Sequence, residues 1–213
     1  MTAAQIVVMA KEPLPGKAKT RLAPAYGPSG AAALARAALL DTLDAALASS
    51  ALRVVLALEG SPGDWLPPGL DVIAQHQGDF GGRLAGAMAD AFETLPVPVL
   101  VIGMDAPQVT ASLLDQVLAV LVTSDAVLGP ADDGGFWCLG LQRAVPTVFD
   151  DVPMSLSTTG SHQRRRLAAL GLRTVLVPGL RDVDEPEDAA WVAQAAPGTR
   201  FGALARQLGQ GAA

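Results

Sequence analysis

The sequence predicts an α/β fold with a doubly wound, mostly parallel sheet, and two observations carry this prediction. Short apolar runs rich in β-branched residues alternate with longer segments of helical periodicity, which is the pattern of successive βαβ units. Of the 213 residues, 50% are hydrophobic and 17% are charged, a composition that suffices for a large buried core. We expect residues 1–213 to form a single domain.

The predicted elements follow in chain order. Strand 6–9 is apolar and stops at the prolines and glycine of residues 11–16, and the first helix runs over 28–48 with Ser29 as its N-cap. Apolar runs and helical spacing then predict strand 53–58, strand 71–74, helix 83–94 and strand 97–102. Helix 110–121 has Thr110 as its cap, and strands 126–128 and 136–141 follow. The remaining elements are helix 161–170, strand 173–177, a helix capped by Asp184 and a last helix from Thr199.

Charge and cysteine content exclude several classes of function. A net charge of −6 leaves no diffuse basic surface that could neutralise a phosphate backbone, so we expect no nucleic-acid partner. The single cysteine, Cys138, excludes an intrachain disulfide and a cysteine-based zinc cage. No apolar run approaches the about 20 residues that span a bilayer, and the apolar start is too short for a secretory signal. We therefore expect a soluble, cytoplasmic protein with no membrane partner.

The lysines are concentrated in one place. All three, Lys11, Lys17 and Lys19, lie within nine residues, and Arg21 follows directly. In an acidic protein, a local positive cluster is what an anionic small ligand needs, although a solvated loop gives the same pattern. The cluster lacks the glycine and Lys-Ser/Thr spacing of a P-loop and the glycine spacing of a dinucleotide-binding turn. These absences argue against a P-loop enzyme and against an NAD enzyme.

Acidic residues follow the ends of three other predicted strands. They are Asp105, Asp132, Asp133, Asp182 and Asp184. Because the carboxyl ends of parallel strands meet at one rim, these carboxylates should face the lysine loop. Lysine and arginine can hold phosphate oxygens, Gly16 can let the backbone approach them, and carboxylates can hold Mg²⁺ or Mn²⁺ against a diphosphate. The pattern is typical of a site for an activated nucleotide.

Each acidic motif also has a purely structural interpretation. Asp105 stands shortly before Pro107, as a turn or N-cap aspartate does, and Asp184 begins an ordinary helix start. Residues 132–135, Asp132-Asp133-Gly134-Gly135, either form a tight turn or contact the acceptor of a transfer reaction. The residues alone leave these alternatives open.

Five sequence blocks resemble, in order, the signature of a bacterial family of GT-A-like transferases. The blocks are MAKEPLPGKAKTRL (9–22), QGDFGGRL (77–84), GMDAP (103–107), GPADDGGF (129–136) and DVDEPED (182–188). The family is DUF2064, also called the radical-SAM/selenodomain-associated glycosyltransferase family 1, and the resemblance covers roughly residues 6–195. The sequence departs from the family pattern at Met154-Ser155-Leu156, where relatives carry Trp-Ser-Thr, and at Glu185, where they carry Thr.

The resemblance implies the nucleotide-diphospho-sugar transferase fold, which molybdopterin nucleotidyltransferases and phospholactate guanylyltransferases share. It implies that Lys19 and Arg21 grip nucleotide phosphates and that Asp105 is the principal metal ligand, so these three are the predicted catalytic residues. The implied nucleotide- and phosphate-binding set is Lys11, Gly16, Lys19, Arg21 and Arg83. The implied ligands of Mg²⁺ or Mn²⁺ are Asp105 with Asp182 and Asp184, which either complete the site or hold a second ion.

Three functions are compatible with these residues. The first is a metal-dependent glycosyltransferase that uses a nucleotide sugar and a small-molecule acceptor. The second is a nucleotidyltransferase of guanylyl or cytidylyl type, which joins a nucleoside triphosphate to a phosphorylated acceptor and releases pyrophosphate. The third is a non-catalytic nucleotide-binding module. The sequence indicates no oligomeric state.

Overall fold

A computed structural model of the protein describes residues 3–210, and a seven-stranded sheet lies at its centre. The strands are β1 (Gln5–Lys11), β2 (Arg53–Glu59), β3 (Asp71–Ala74), β4 (Val99–Gly103), β5 (Ala126–Pro130), β6 (Phe136–Leu141) and β7 (Thr174–Leu176). Their order is β3-β2-β1-β4-β6-β5-β7. All pairs are parallel except those of β6, which runs antiparallel to β4 and β5. The predicted α/β class with a mostly parallel sheet is confirmed.

Helices cover both faces of the sheet. They are α1 (Ala23–Leu47), α2 (Phe80–Thr94), α3 (Ala111–Leu121), α4 (Thr159–Ala169), α5 (Pro186–Ala195) and α6 (Arg200–Gln210), and a short 3-10 helix (Thr20–Leu22) precedes α1. Alternate side chains of β1 point to opposite faces: Ile6 and Val8 pack with α1 and α3, whereas Val7 and Met9 pack with α2 and α4. A third buried cluster joins α1 to α5 and α6. Within residues 3–210, no helix has the length and apolar character to cross a membrane.

The starts of α1 and α2 differ from the predictions. Helix α1 begins at Ala23 and is interrupted at Gly27, whose backbone has φ 69° and ψ 162°. Regular helix resumes at Pro28, because a residue with positive φ turns the chain and proline is suited to a first helical turn. Ser29 therefore lies inside the helix, and the prediction that it is the N-cap was wrong. Helix α2 begins earlier than predicted, because the Asp79 carboxylate caps it by accepting from the Gly82 N–H at 2.8 Å.

The other two predicted caps had opposite outcomes. Thr110 caps α3 as predicted, since its hydroxyl accepts from the Leu113 N–H at 3.1 Å. Helix α5 is capped by Glu185 and not by Asp184. The carboxylate of Asp188 completes this start by accepting from the Glu185 N–H at 2.8 Å. The prediction that Asp184 is a cap was wrong, and its side chain is left free for other contacts.

The strand register brings the polar loops to one edge of the sheet. Lys11 lies opposite Glu59, and Met9 lies opposite Gly103, so β1, β2 and β4 end side by side. The hairpin between β5 and β6 turns at the same edge. A bridge between Ala131 and Leu180 brings the chain after β7 to that hairpin. The convergence predicted from parallel topology is confirmed.

Candidate active site

A cavity of about 700 Å³ lies at this edge. The predicted residues that line it are Lys11, Lys19, Arg21, Asp105, Asp133, Gly135, Asp182 and Asp184. Four other predicted site residues are not part of its wall, namely Gly16, Arg83, Asp132 and Gly134. The structure therefore brings together residues from four loops that are far apart in the chain.

Lys19 lies between two carboxylates at the centre of this cavity. Its Nζ is 2.8 Å from Asp105 Oδ1 and 2.9 Å from Asp184 Oδ1, and only 10% of its side chain is exposed. Burial by itself lowers the pKa of the Lys19 ammonium, but attraction and hydrogen bonds from Asp105 and Asp184 outweigh burial, and the pKa is raised. Lys19 is thus a fixed, protonated cation, and the solvated-loop interpretation does not hold for it.

The carboxyl of Asp182 is buried near three other carboxylates. Burial raises the pKa of its carboxyl to about 7, and the neighbouring Asp105, Asp133 and Asp184 add to the rise while Lys19 opposes it. Among the described residues, Lys19 supplies the one close ammonium that balances these four carboxylates. In the described part of the chain, no three acidic, histidine or cysteine side chains are grouped closely enough to hold a metal ion by themselves. The cluster has the oxygen donors that a hard cation prefers, but other oxygens must complete a coordination shell.

The pKa of Asp182 leads to a first prediction. In the protein without divalent cations, we expect Asp182 to make a contribution to stability that is lost as the pH rises from about 4 to about 7. The folded state raises the pKa of this carboxyl to about 7 from an ordinary value of 3.8. Below the lower value the carboxyl is protonated in both states and folding carries no penalty, whereas above the higher value it is ionised in both and the penalty is complete. Melting temperatures measured at several pH values should therefore fall in the wild type relative to Asp182→Asn over this range, and parallel profiles would contradict the assignment.

Asp105 is not a helix cap, because Thr110 caps α3. Its carboxylate instead binds the Lys19 ammonium, and its backbone carbonyl accepts from the Val183 N–H at 3.0 Å. The N-cap interpretation of Asp105 was therefore wrong. One residue links the loop after β4 to both the lysine loop and the segment before α5.

The other predicted cations have different surroundings. Glu59 Oε1 lies 3.1 Å from Lys11 Nζ, and Glu59 Oε2 accepts from Arg83 at 2.6 Å. Arg83 also stacks over the ring of Phe80, which lines the cavity, although Arg83 itself is not part of the wall. Arg21 is largely exposed, with its guanidinium 3.6 Å from Glu185. Sequence reasoning missed Glu59, although it is the last residue of β2 and the rule of converging strand ends applies to it.

The acidic segment before α5 is held in place by Asp188, which sequence reasoning also missed. Asp188 Oδ1 accepts from Arg181 Nε at 2.8 Å, and Oδ2 accepts from the N–H groups of Asp184 at 3.1 Å and Glu185 at 2.8 Å. These contacts fix the backbone that carries Asp182 and Asp184. The signal in the sequence was an acidic residue three positions after the helix cap.

The hairpin between β5 and β6 forms the tight turn that was one of its two interpretations. Asp133 Oδ1 accepts from the Gly135 N–H at 2.7 Å. Gly134 has φ 88°, and a Cβ added there would lie 1.9 Å from the Ser157 carbonyl oxygen. This close approach packs the hairpin against the segment before α4. Asp133 and Gly135 face the cavity, so the turn and an acceptor contact are compatible.

A pair of glycine variants tests this packing. Gly134→Ala should destabilise the protein by about 2–5 kcal/mol, because a left-handed conformation and an overlap with backbone both oppose a Cβ. Gly16→Ala is the matched control, since Gly16 has φ 74° with no atom within 4 Å of an added Cβ. It should show only the conformational cost of about 1–2 kcal/mol. Denaturant unfolding measures both, and equal losses would refute the close approach.

The remaining wall of the cavity is mostly apolar. It contains Phe80 and Leu84 of α2, Phe136 and Trp137 of β6, and Met154, Ser155, Leu156, Ser157 and Thr159. Phe136 is stacked on Phe149, with ring centroids 6.5 Å apart. The departure from the family pattern at 154–156 therefore lies in the cavity wall.

Comparison with known proteins gives one family and several relatives. The model of the family described as "Uncharacterized protein conserved in bacteria (DUF2064)" matches residues 33–156. A 3-phospho-D-glycerate guanylyltransferase of Phenylobacterium zucineum (strain HLK1) is 32% identical over 194 residues, which cover 86% of this chain and 87% of that protein.

Solved structures show the same architecture. A protein of Desulfovibrio desulfuricans G20, assigned to the nucleotide-diphospho-sugar transferases, has a TM-score of 0.89 and 28% identity and covers 100% of this chain and 99% of its own. A Mycobacterium tuberculosis H37Rv protein in complex with manganese has a TM-score of 0.51 and 20% identity. The match covers 88% of this chain and 96% of that protein. The second likeness is one of fold.

The relatives place this chain among the transferase enzymes, which excludes the third, non-catalytic hypothesis. The family model matches more than half of the chain, and the guanylyltransferase is similar over most of its length. The chain therefore belongs to the DUF2064 family.

Proposed function

We propose that the protein transfers a group from a nucleotide-activated donor, most simply a sugar from a nucleotide sugar, to a small acceptor with the help of a divalent cation. The observation that carries this proposal is the pairing of the lysine loop with the carboxylate cluster in one cavity. Lysine and arginine bind phosphate oxygens, and the carboxylates would supply oxygen donors for a divalent cation that helps to neutralise the same phosphates.

Lys19 and Arg21 neutralise the phosphates in this proposal, and Lys11 assists them. Asp105, Asp182 and Asp184 would hold Mg²⁺ or Mn²⁺, with donor phosphate oxygens completing the coordination. When bound, the cation stabilises the negative charge that develops on the leaving phosphate. The raised pKa of Asp182 supports a cation here, because burial and then the neighbouring carboxylates disfavour its negative charge, and a bound cation would offset both. The manganese complex of the structurally similar M. tuberculosis protein is consistent with this choice of metal.

The acceptor enters beside Asp133 and Gly135. In sugar transfer, the acceptor hydroxyl oxygen forms a bond to the anomeric carbon, and the bond between that carbon and the phosphate oxygen breaks. The electron pair leaves with the nucleoside diphosphate, and the hydroxyl proton passes to Asp133 or to water. The close packing of Gly134 on residue 157 fixes this part of the wall.

Nucleotidyl transfer is the second candidate, and the guanylyltransferase relative favours it. In this reaction, a phosphate oxygen of the acceptor forms a bond to the α-phosphorus of a nucleoside triphosphate. The bond from the α-phosphorus to the bridging oxygen breaks, and pyrophosphate leaves with the electron pair. The same cations and carboxylates would stabilise pyrophosphate.

Product analysis distinguishes the two candidates. The protein is incubated with Mg²⁺ and either a nucleotide sugar, such as GDP-mannose or UDP-glucose, or GTP with 3-phosphoglycerate. With no other acceptor present, we expect slow, metal-dependent release of nucleoside diphosphate from a nucleotide sugar as water takes the sugar, and phosphorus NMR measures this release. If pyrophosphate is released from GTP with 3-phosphoglycerate and no nucleoside diphosphate is released from a nucleotide sugar, the second candidate replaces the first. Asp105→Asn serves as the inactive control in both assays.

A further inference from the structure

The Lys19 ammonium occupies a cation position in the cavity. Its Nζ lies 2.8 Å from Asp105 Oδ1 and 2.9 Å from Asp184 Oδ1. These two carboxylates belong to the set that we propose for the divalent cation. A metal ion that binds to the same pair of oxygens must therefore take the place of the ammonium.

The spacing of the two oxygens suits an ammonium and not a small divalent metal. Mg²⁺ lies about 2.0–2.1 Å from its oxygen ligands, whereas both oxygens here are at hydrogen-bond distance from the Lys19 Nζ. Binding of a metal by both oxygens requires the carboxylates to move closer together, which the ammonium between them prevents. The side chains of Asp105 and Asp184 are 41% and 43% exposed, so they have room for this movement once Lys19 has left.

Electrostatic repulsion also opposes a metal ion and the Lys19 ammonium at one pair of oxygens. Two cations that share these oxygens would lie within a few ångströms of each other. Repulsion at this distance is strong where water is partly excluded, and the Lys19 side chain is nearly buried. The phosphates of a nucleotide offer the ammonium other oxygens, which can replace the carboxylates as its partners.

The exchange requires only the end of the Lys19 side chain to move. The Lys19 carbonyl accepts from the Leu22 N–H at 2.9 Å, and the nearby Ala18 and Leu22 are buried. The Lys19 backbone is left-handed, with φ 47° and ψ 47°, a conformation that persists in a residue with a Cβ where its surroundings impose it. A lysine side chain is long and flexible. Its ammonium can therefore reach a ligand in the adjoining cavity while the loop stays in place.

We propose that Lys19 is a displaceable counter-ion, which holds the place of the divalent cation between Asp105 and Asp184 and moves to the donor phosphates when the nucleotide binds. The inference rests on the proposed function and specifies how donor and metal bind together. Each of the two ligands favours the departure of Lys19 from the carboxylates, so each increases the affinity for the other. The protein without nucleotide accordingly binds a divalent metal weakly.

Manganese binding in the absence of nucleotide tests the exchange. Electron paramagnetic resonance measures free Mn²⁺ during titration of the wild type and of Lys19→Met, in which the side chain keeps most of its length but loses its charge. We expect Lys19→Met to bind Mn²⁺ about tenfold more tightly than the wild type, within the range typical of coupled binding. Equal or weaker binding by Lys19→Met would overturn the proposal.

Two controls separate occupation of the site from a general effect of charge. Lys17 lines the same cavity but is exposed, so Lys17→Met should change the Mn²⁺ affinity by less than about threefold. Adding Asp105→Asn to Lys19→Met should abolish the gain, because one of the two oxygen donors is weakened. A tenfold gain in Lys17→Met, or a gain that survives Asp105→Asn, would also overturn the proposal.

The Lys19 ammonium can be observed directly in the wild type. The chain has three lysines, Lys11, Lys17 and Lys19, so variants suffice to assign their side-chain ¹⁵N signals by NMR. We expect the Lys19 signal to shift when GDP or UDP binds with Mg²⁺ and to stay unchanged with Mg²⁺ alone. An unchanged Lys19 signal in the nucleotide complex, or the same shift with Mg²⁺ alone, would refute the exchange without any substitution at Lys19.

Calorimetric titration of the same samples with GDP and UDP separates the two levels of the argument. Failure to bind either nucleotide with Mg²⁺ would contradict the proposed function, and the exchange with it. Nucleotide binding that leaves Lys19 on its two carboxylates would contradict only the exchange.

Discussion

Replacing Lys19 by alanine should weaken nucleotide binding by about 10–100-fold, the loss expected for a charge-assisted hydrogen bond of about 1.5–3 kcal/mol. Lys19 is the one lysine of the loop after β1 that the fold holds nearly buried, between Asp105 and Asp184. Its removal also leaves those carboxylates without a close cation, so the metal-free variant should melt at a lower temperature than the wild type. Calorimetric titration with GDP and UDP measures the affinity, and thermal melting measures the stability.

Lys17→Ala is the matched control for this prediction. Lys17 belongs to the same loop but is exposed, and no ion pair joins it to any residue within 3–210. We expect its removal to change affinity only slightly. Similar losses in the two variants would mean that the loop acts by its total charge, and normal affinity in Lys19→Ala would refute the phosphate contact.

Asp105→Asn should abolish metal-dependent donor binding and lower turnover by at least about 100-fold. The amide keeps the size of the side chain but is a much poorer ligand for a hard dication. Stability without metal should change little, because the loss of the Lys19 contact is offset by less repulsion on Asp182. Donor binding is measured with and without Mg²⁺, and turnover with the donor that the product analysis identifies.

Asp132→Asn is the control for the loss of one negative charge. Asp132 lies close in sequence to Asp133 but is exposed and is not part of the cavity wall. It should retain the metal response of the wild type. Full metal-stimulated activity in Asp105→Asn would make Asp105 a structural turn residue.

The sequence predicted the strands well, because each one is a short, buried apolar run with a distinct end. It predicted helix starts less well, because these depend on local geometry. The interruption at Gly27 and the cap at Asp79 both precede helical turns rich in proline or glycine, which resemble loops in the sequence. Likewise, the cap of α5 lies one position later than predicted, at Glu185 and not at Asp184. The side chain of Asp184 is therefore free to bind Lys19.

The candidate site was predictable as far as strand topology determines it. Because parallel strands end at the same edge of the sheet, Lys19, Asp105 and Asp184 could be predicted to share one cavity. Side-chain partners were not predictable in this way, since Arg83 lies at the right edge but is bound by Glu59. The apolar wall residues Phe80, Leu84 and Phe136 were missed, because in the sequence they look like core residues.

The most direct test of the central claim is nucleotide binding as a function of divalent metal. Thermal melting of the wild type is recorded with nucleoside diphosphates, triphosphates and nucleotide sugars, each with and without Mg²⁺ or Mn²⁺. A ligand at 100 times its dissociation constant adds about 2.7 kcal/mol of apparent stability, which is readily measured. The account predicts a shift that requires both nucleotide and metal and that is lost in Lys19→Ala and Asp105→Asn. No shift with any nucleotide, or the same shift in both variants, would contradict it.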